Sequence, residues 1–214
     1  MAPMSKGERT RQTILDAAVD LASERGFEAL SIGLLAERVG MSKSGLFAHF
    51  GSREELQIAA IANAAERFAE LVFKPAMAAP RGLARLEAFF ENWLSWVDRG
   101  GMQGGCPLQA AAHEFGCRPG PVRDAVVAHF RQLEQDLGRA VRLAVDSGEL
   151  RADTDVGLLV FRLLGIVLAF YHRRDLMSHD DASADTRAAF AALLAASRRG
   201  SPDAAVAIDG ASKA

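Results

Sequence analysis

The sequence predicts an all-α fold, on three observations. Apolar residues recur at helical spacing through nearly all of the 214 residues. No alternating apolar–polar stretch persists long enough to be a strand. Glycine, proline and aspartate gather at the intervals where helices would have to end. Half of the residues are hydrophobic, enough to bury a core as one large or two small domains. The layout is three short helices followed by several long ones, with no internal repeat.

The first helix carries Ile14, Ala17, Ala18, Leu21 and Ala22 on one stripe and ends at Gly26, a residue free to adopt a C-terminal cap. Short helices are expected over 32–39 and 43–50, separated by Gly40-Met41-Ser42, with Ser31 and Ser42 as their N-caps. Ser52, with Glu55 three residues on, reads as a capping box. Helices over 53–76, 83–98, 107–116, 120–147, 154–177 and 183–199 follow, broken at 75–82, 100–107, 116–121 and 146–153. Residues 200–214 are small and polar and are expected to form a disordered tail.

Composition narrows the function classes. A formal net charge of −2 does not by itself announce a nucleic-acid binder. No apolar run is expected to span a bilayer, because the best candidate, 156–171, is interrupted by Arg162. The polar N-terminus lacks an apolar signal-peptide core, so a cytoplasmic protein is expected. Cys106 and Cys117 are too few for a disulfide scaffold and, with His113 between them, too few for a four-ligand zinc site. No G-x-S-x-G elbow, phosphate-binding glycine loop or H-E-x-x-H motif occurs, so neither catalysis nor a cofactor is implied.

The segment from Ser31 to Phe50 reads as a helix-turn-helix. Leu35 and Val39 share a face of its first helix, Leu46 and Phe50 a face of its second, and both faces can pack on the Ile14–Leu21 stripe. The second helix then turns Lys43, Ser44, Gly45, Phe47 and His49 outward. These residues are small, basic or hydrogen-bonding, and such a helix fits the major groove of DNA.

Residues 10–56 resemble the N-terminal domain of the TetR (tetracycline-repressor) family. The resemblance lies in Thr10–Ala18, in Glu24-Arg25-Gly26-Phe27, and in Leu46-Phe47-Ala48-His49-Phe50-Gly51-Ser52-Arg53-Glu54-Glu55-Leu56. It implies that residues 1–56 form an arm and DNA-binding domain. Lys43, Ser44 and Gly45 are then candidates for reading base edges, with Phe47, His49 and Arg53 positioning the backbone. Arg11, with Lys6 and Arg9 before it, is a candidate for phosphate or the minor groove, and the caps Ser31 and Ser42 join the contact set. Phe47 stands where the family usually has tyrosine, Arg53 where it has lysine, and Gly33 and Leu34 where polar residues are common. Residues 1–56 hold seven Lys/Arg against eight Asp/Glu, so placement rather than net charge must favour DNA. Asp16, Asp20, Glu24 and Glu28 are expected to lie away from the groove.

The resemblance further implies that residues 57–199 bind an effector and dimerise; Gly105–Phe115 and Arg118–Arg123 are similar to one C-terminal subclass. Trp93, Trp96, Gln109, His113, Phe115 and Tyr171 are candidate ligand contacts, suiting a small apolar or aromatic effector. The stripes on 154–177 and 183–199 would pair in a homodimeric four-helix bundle, setting two recognition helices about 34–36 Å apart on a pseudo-palindromic operator. The family default is a repressor whose effector shifts it to a non-binding conformer, with the 53–76 helix as lever. The alternative is a helical small-molecule-binding or redox-sensing module, using Cys106 and Cys117, with weak or no DNA binding.

Overall fold

A computed structural model describes residues 5–198; the expected tail at 200–214 lies outside the described residues. Among the described residues the fold is all-helical apart from one isolated β-bridge, Leu150 to Arg198. The helices are α1 (Lys6–Arg25), α2 (Ile32–Val39), α3 (Lys43–Phe47), α4 (Arg53–Phe68), α5 (Lys74–Ala76), α6 (Leu83–Arg99), α7 (Pro107–Phe115), α8 (Pro121–Asp146), α9 (Val156–Tyr171) and α10 (Ala182–Ser197). A π-helical turn, Ala69–Phe73, carries α4 into α5, and another, His172–Leu176, extends α9. The chain divides into two compact units: the described part of Met1–Pro75 with Ser95–Leu133, and Ala76–Leu94 with the described part of Glu134–Ala214.

In the first unit α1 starts at a capping box: the Ser5 hydroxyl accepts from Glu8 N at 3.2 Å and Ser5 N donates to the Glu8 carboxylate at 2.6 Å. Gly26, at φ 79°, ends it. Ile14, Leu21, Leu35, Leu46, Phe50 and Leu56 then close one core with Phe27 and Leu30. Ala111 and Phe115 of α7 and Val122 and Val126 of α8 belong to the same core. The short DNA-type helices therefore do not close their core alone.

Two local expectations need correction. Ser52 caps α4 through Glu55 N at 3.0 Å, but the Glu55 carboxylate accepts from Gly51 N at 2.9 Å, so the box is only half formed. The second short helix ends at Phe47 rather than Phe50. Its last turn tightens to i→i+3 bonds, His49 N to Leu46 O at 3.0 Å and Phe50 N to Phe47 O at 3.2 Å.

In the second unit α9 packs on α10, and Phe90 of α6 stacks on Phe190 at 3.8 Å. Arg187 pairs with Glu91 and Arg198 with Glu87, each at 2.9 Å. Leu159, Leu163, Val167 and Phe170 are buried, while Leu158, Phe161 and Leu168 of the same helix remain 45%, 73% and 49% exposed. Beside them α10 exposes Ala184, Ala188, Ala191, Ala192 and Ala195. By length and apolarity alone Val156–Leu176 could cross a bilayer, which corrects the expectation that Arg162 would forbid it.

Candidate nucleic-acid interface

The helix-turn-helix is built by local chemistry. The Ser31 hydroxyl accepts from Leu34 N at 3.1 Å and starts α2. Gly40, left-handed at φ 66° and ψ 32°, ends it, and the Met41 N–H reaches back to Ala36 O at 2.9 Å. The Ser42 hydroxyl accepts from Gly45 N at 3.1 Å and starts α3. Leu46, fully buried, anchors this five-residue helix.

Anchored this way, α3 exposes Lys43, Ser44 and Phe47, with Gly45 and His49 half-buried. Phe47 is 52% exposed, an aromatic ring offered to solvent beside a cation. A Cβ on Gly33 would lie 3.3 Å from Lys43 Cε, so the glycine at this unusual position leaves room for the lysine stem across α2. At Gly45 a Cβ would meet the Ser42 hydroxyl at 3.1 Å, so even alanine would press on the cap. The His49 ring tilts against Phe50 at 6.5 Å, and the Arg11 guanidinium lies 4.9 Å over the buried Phe50 ring. That contact brings Arg11 from α1 to the same end of the module as α3.

Arg53 is placed differently from the other candidates. Its Nε donates to Leu30 O at 3.0 Å and its Nη2 to Glu28 O, so much of its hydrogen-bonding capacity ties α4 to the α1–α2 connection. Gln57 donates to Phe27 O at 3.0 Å in the same connection.

The four acids along α1 and its exit, Asp16, Asp20, Glu24 and Glu28, each have a partner. Asp16 accepts from Gln12 and Asn63, each at 3.0 Å. Asp20 pairs with Arg67 at 2.8 Å, Glu24 with Arg38 at 2.7 Å, and Glu28 with Arg118. Hydrogen bonding and the charge of Glu24 raise the pKa of Arg38. Lys6, Arg9, Arg11 and Lys43 form no ion pair among the described residues. These four cations thus stand on α1 and on α3.

One residue outside the sequence-derived set holds the α1–α2 connection from α7. The Glu114 carboxylate accepts from Phe27 N at 3.1 Å and Glu28 N at 2.7 Å. It lies so close to Gly26 that a Cβ there would sit 1.9 Å from Oε1. Nothing local in the sequence marks it.

The six ligand candidates are divided between the two units. Trp96, Gln109, His113 and Phe115 belong to the first unit, Trp93 and Tyr171 to the second. Trp96 is fully buried, edge-on to Phe68 at 5.2 Å, and Phe115 packs edge-on to Phe27 at 6.5 Å within the core. Trp93 is buried edge-on to Phe89 at 5.4 Å, and Tyr171 lies 5.5 Å beneath the Arg174 guanidinium. Gln109 is half-buried and His113 exposed on α7. Cys106 is buried and Cys117 exposed, both reduced, at opposite ends of α7. Helical rise sets them roughly 15 Å apart, against the ~4.4–6.8 Å between Cα atoms that a disulfide needs.

A capped helix-turn-helix with unpaired cations beside its second helix, joined to a second all-helical unit, defines a DNA-binding transcriptional regulator. The chain belongs to the TetR family: residues 14–65 match the model for bacterial regulatory proteins of the tetR family, and 82–190 the tetracyclin repressor-like C-terminal domain. These are non-enzymatic regulators. The chain is 36% identical over 72 residues to the HTH-type transcriptional repressor AcnR of Corynebacterium glutamicum, a match covering 34% of this chain and only 38% of that relative. The fold matches that of a TetR-family regulator from Cytophaga hutchinsonii, with a TM-score of 0.82 and 19% identity over 94% of this chain and 100% of the other. It is also similar to AibR, solved with isovaleryl coenzyme A and operator DNA, with a TM-score of 0.62 and 27% identity over 75% of this chain and 85% of AibR.

Proposed function

We propose that this chain is a cytoplasmic repressor that binds a pseudo-palindromic operator as a homodimer and releases it when a small effector binds. Residues 1–56, arm included, contact DNA, and 57–199 carry the effector and dimer functions. The observation that carries this reading is the face of α3. Lys43 and Ser44 stand exposed on a helix fixed by its Ser42 cap, while Asp20, Glu24 and Glu28 are engaged by arginines. Lys43, Ser44 and Gly45 read bases. Phe47, His49 and Arg11 position the backbone, and Arg53 contributes mainly through the connection it braces.

The exposed apolar face of α9 and the alanine face of α10 support pairing with a second copy. An isolated monomer would leave Phe161 and its neighbours in water, and small residues on α10 permit close helix approach. A groove of about 500 Å³ on this face, between Gly165, Ala169 and Ala189, offers room for a partner's side chain. The effector is apolar or aromatic. An acyl-coenzyme A is a second reading, favoured by the ligand in the AibR complex.

The test is fluorescence anisotropy with the DNA upstream of the gene, across a salt series. Wild-type protein is expected to bind with a steep salt dependence. Lys43→Ala should weaken binding and reduce the slope of log K against log salt by about one for each phosphate it no longer neutralises. If neither this DNA nor selected genomic fragments are retained, the DNA reading fails and a ligand-binding module is left.

A further inference from the structure

The first unit contains a feature that DNA binding does not use. Phe68, at the end of α4, is the hub of an aromatic cluster drawn from three helices. Phe73 meets it at 5.9 Å from the π-helical turn, Trp96 at 5.2 Å from α6, and His129 at 6.1 Å from α8. Phe130 in turn meets His129 at 5.2 Å. All four pairs are edge-to-face, the geometry that ring quadrupoles favour and that a further planar ring can join.

His129 is the odd member. Its imidazole has a donor and an acceptor, yet it makes no hydrogen bond among the described residues. Nor are its nitrogens among the side-chain atoms sealed from water-sized space. Phe68 and Trp96 are buried, but His129, Phe73 and Phe130 are only partly covered, so the cluster is open on the side of the histidine. Burial lowers the imidazole pKa to about 4, which keeps the ring neutral near pH 7. Beside it α4 departs from α-helical pairing, Lys74 N bonding Ala69 O five residues back, a distortion frequent at functional sites.

We propose that this cluster binds an uncharged, ring-containing small molecule bearing a hydroxyl group, with the His129 imidazole as its hydrogen-bond partner. The hydroxyl, donor and acceptor together, matches what a neutral imidazole lacks. The rings of Phe68, Phe73 and Phe130 supply the apolar contact. A charged headgroup finds no counter-ion within the cluster. The proposal rests on the effector reading for its biological role, but the binding site stands or falls without it.

The probes are 2-naphthol and, as its match without the hydroxyl, naphthalene. Binding of 2-naphthol to the full-length protein should shift the His129 ring nitrogen resonances, a readout needing no substitution. His129→Phe should weaken 2-naphthol about tenfold, the effect of one hydrogen bond in a shielded site, and leave naphthalene within twofold. His129→Gln, which keeps a donor and an acceptor, should restore most of the affinity. Absence of 2-naphthol binding, or binding with unmoved His129 resonances, overturns the proposal whatever happens at the operator. Binding at His129 without any change in operator affinity upholds the site and removes the effector reading.

Discussion

Replacing Glu114 by alanine tests whether α7 is a structural part of the DNA-binding module. The carboxylate accepts two backbone N–H groups at the start of the turn between α1 and α2, from a position 86 and 87 residues away in the chain. A hydrogen bond to a charged group contributes about 1.5–3 kcal/mol net, and an orphaned buried donor costs about 1–3 kcal/mol. The two bonds are not equal. Water can replace the carboxylate at the exposed Glu28 N–H, whereas the Phe27 N–H is partly buried. The expected destabilisation is therefore about 2 kcal/mol, nearly all from the Phe27 bond. Glu114→Gln keeps one acceptor and turns an amide donor towards the other N–H, so it should cost about half as much.

Urea unfolding followed by near-ultraviolet circular dichroism reads this directly, since Phe27, Phe115 and Trp96 all lie in the first unit. Far-ultraviolet circular dichroism, which senses the helices of both units, serves as the second probe. A Glu114→Ala protein stable to within about 0.5 kcal/mol of wild type, a shift typical of an indifferent surface change, would refute the reasoning. The connection would then be held by Gln57 and Arg53 alone.

His129 gives a prediction in pH. Its folded pKa is lowered from 6.5 to about 4, so the unfolded chain takes up a proton in this window while the folded one does not. This contribution is complete above pH 6.5 and is lost as pH falls towards 4. Between pH 7 and 5 wild type should lose about 2 kcal/mol more than His129→Phe in urea unfolding; parallel curves would contradict it. Phe161→Glu should break the dimer. Burying a phenylalanine contributes about 1.5–3 kcal/mol and twofold symmetry counts it twice, so sedimentation should show dimerisation weakened at least a hundredfold; an intact dimer at micromolar concentration would place the interface elsewhere.

What was legible in the sequence follows the distance over which each interaction acts. Ser31, Gly40 and Ser42 declare themselves because a cap is formed by atoms three residues apart. The Ser52 box misleads for a local reason too, since Gly51 N lies within reach of the same carboxylate and takes it. Glu114, Arg53 and Gln57 act across 23 to 87 residues, and no periodicity encodes that. In the sequence the ligand candidates stand out as aromatic surface, with Gln109 and His113 as polar anchors. In the structure Phe115 fills core, while buried Trp96 backs an aromatic group that opens around a histidine no motif marks.

Net charge is the least informative of the sequence quantities here, and the structure explains why. With seven Lys/Arg against eight Asp/Glu, residues 1–56 should repel a polyanion weakly at distances where only the total is felt. Contact with DNA is made at a few ångströms, and salt screens charges beyond roughly 10 Å. At that range the partners of each acid decide the field. Asp20, Glu24 and Glu28 each face an arginine, and two of these, Arg67 and Arg118, lie outside residues 1–56. The later helices thus neutralise acids of the first, while Lys6, Arg9, Arg11 and Lys43 have no acidic partner among the described residues. The local field at α3 is therefore a property of the folded unit, which no count over its first 56 residues could reveal.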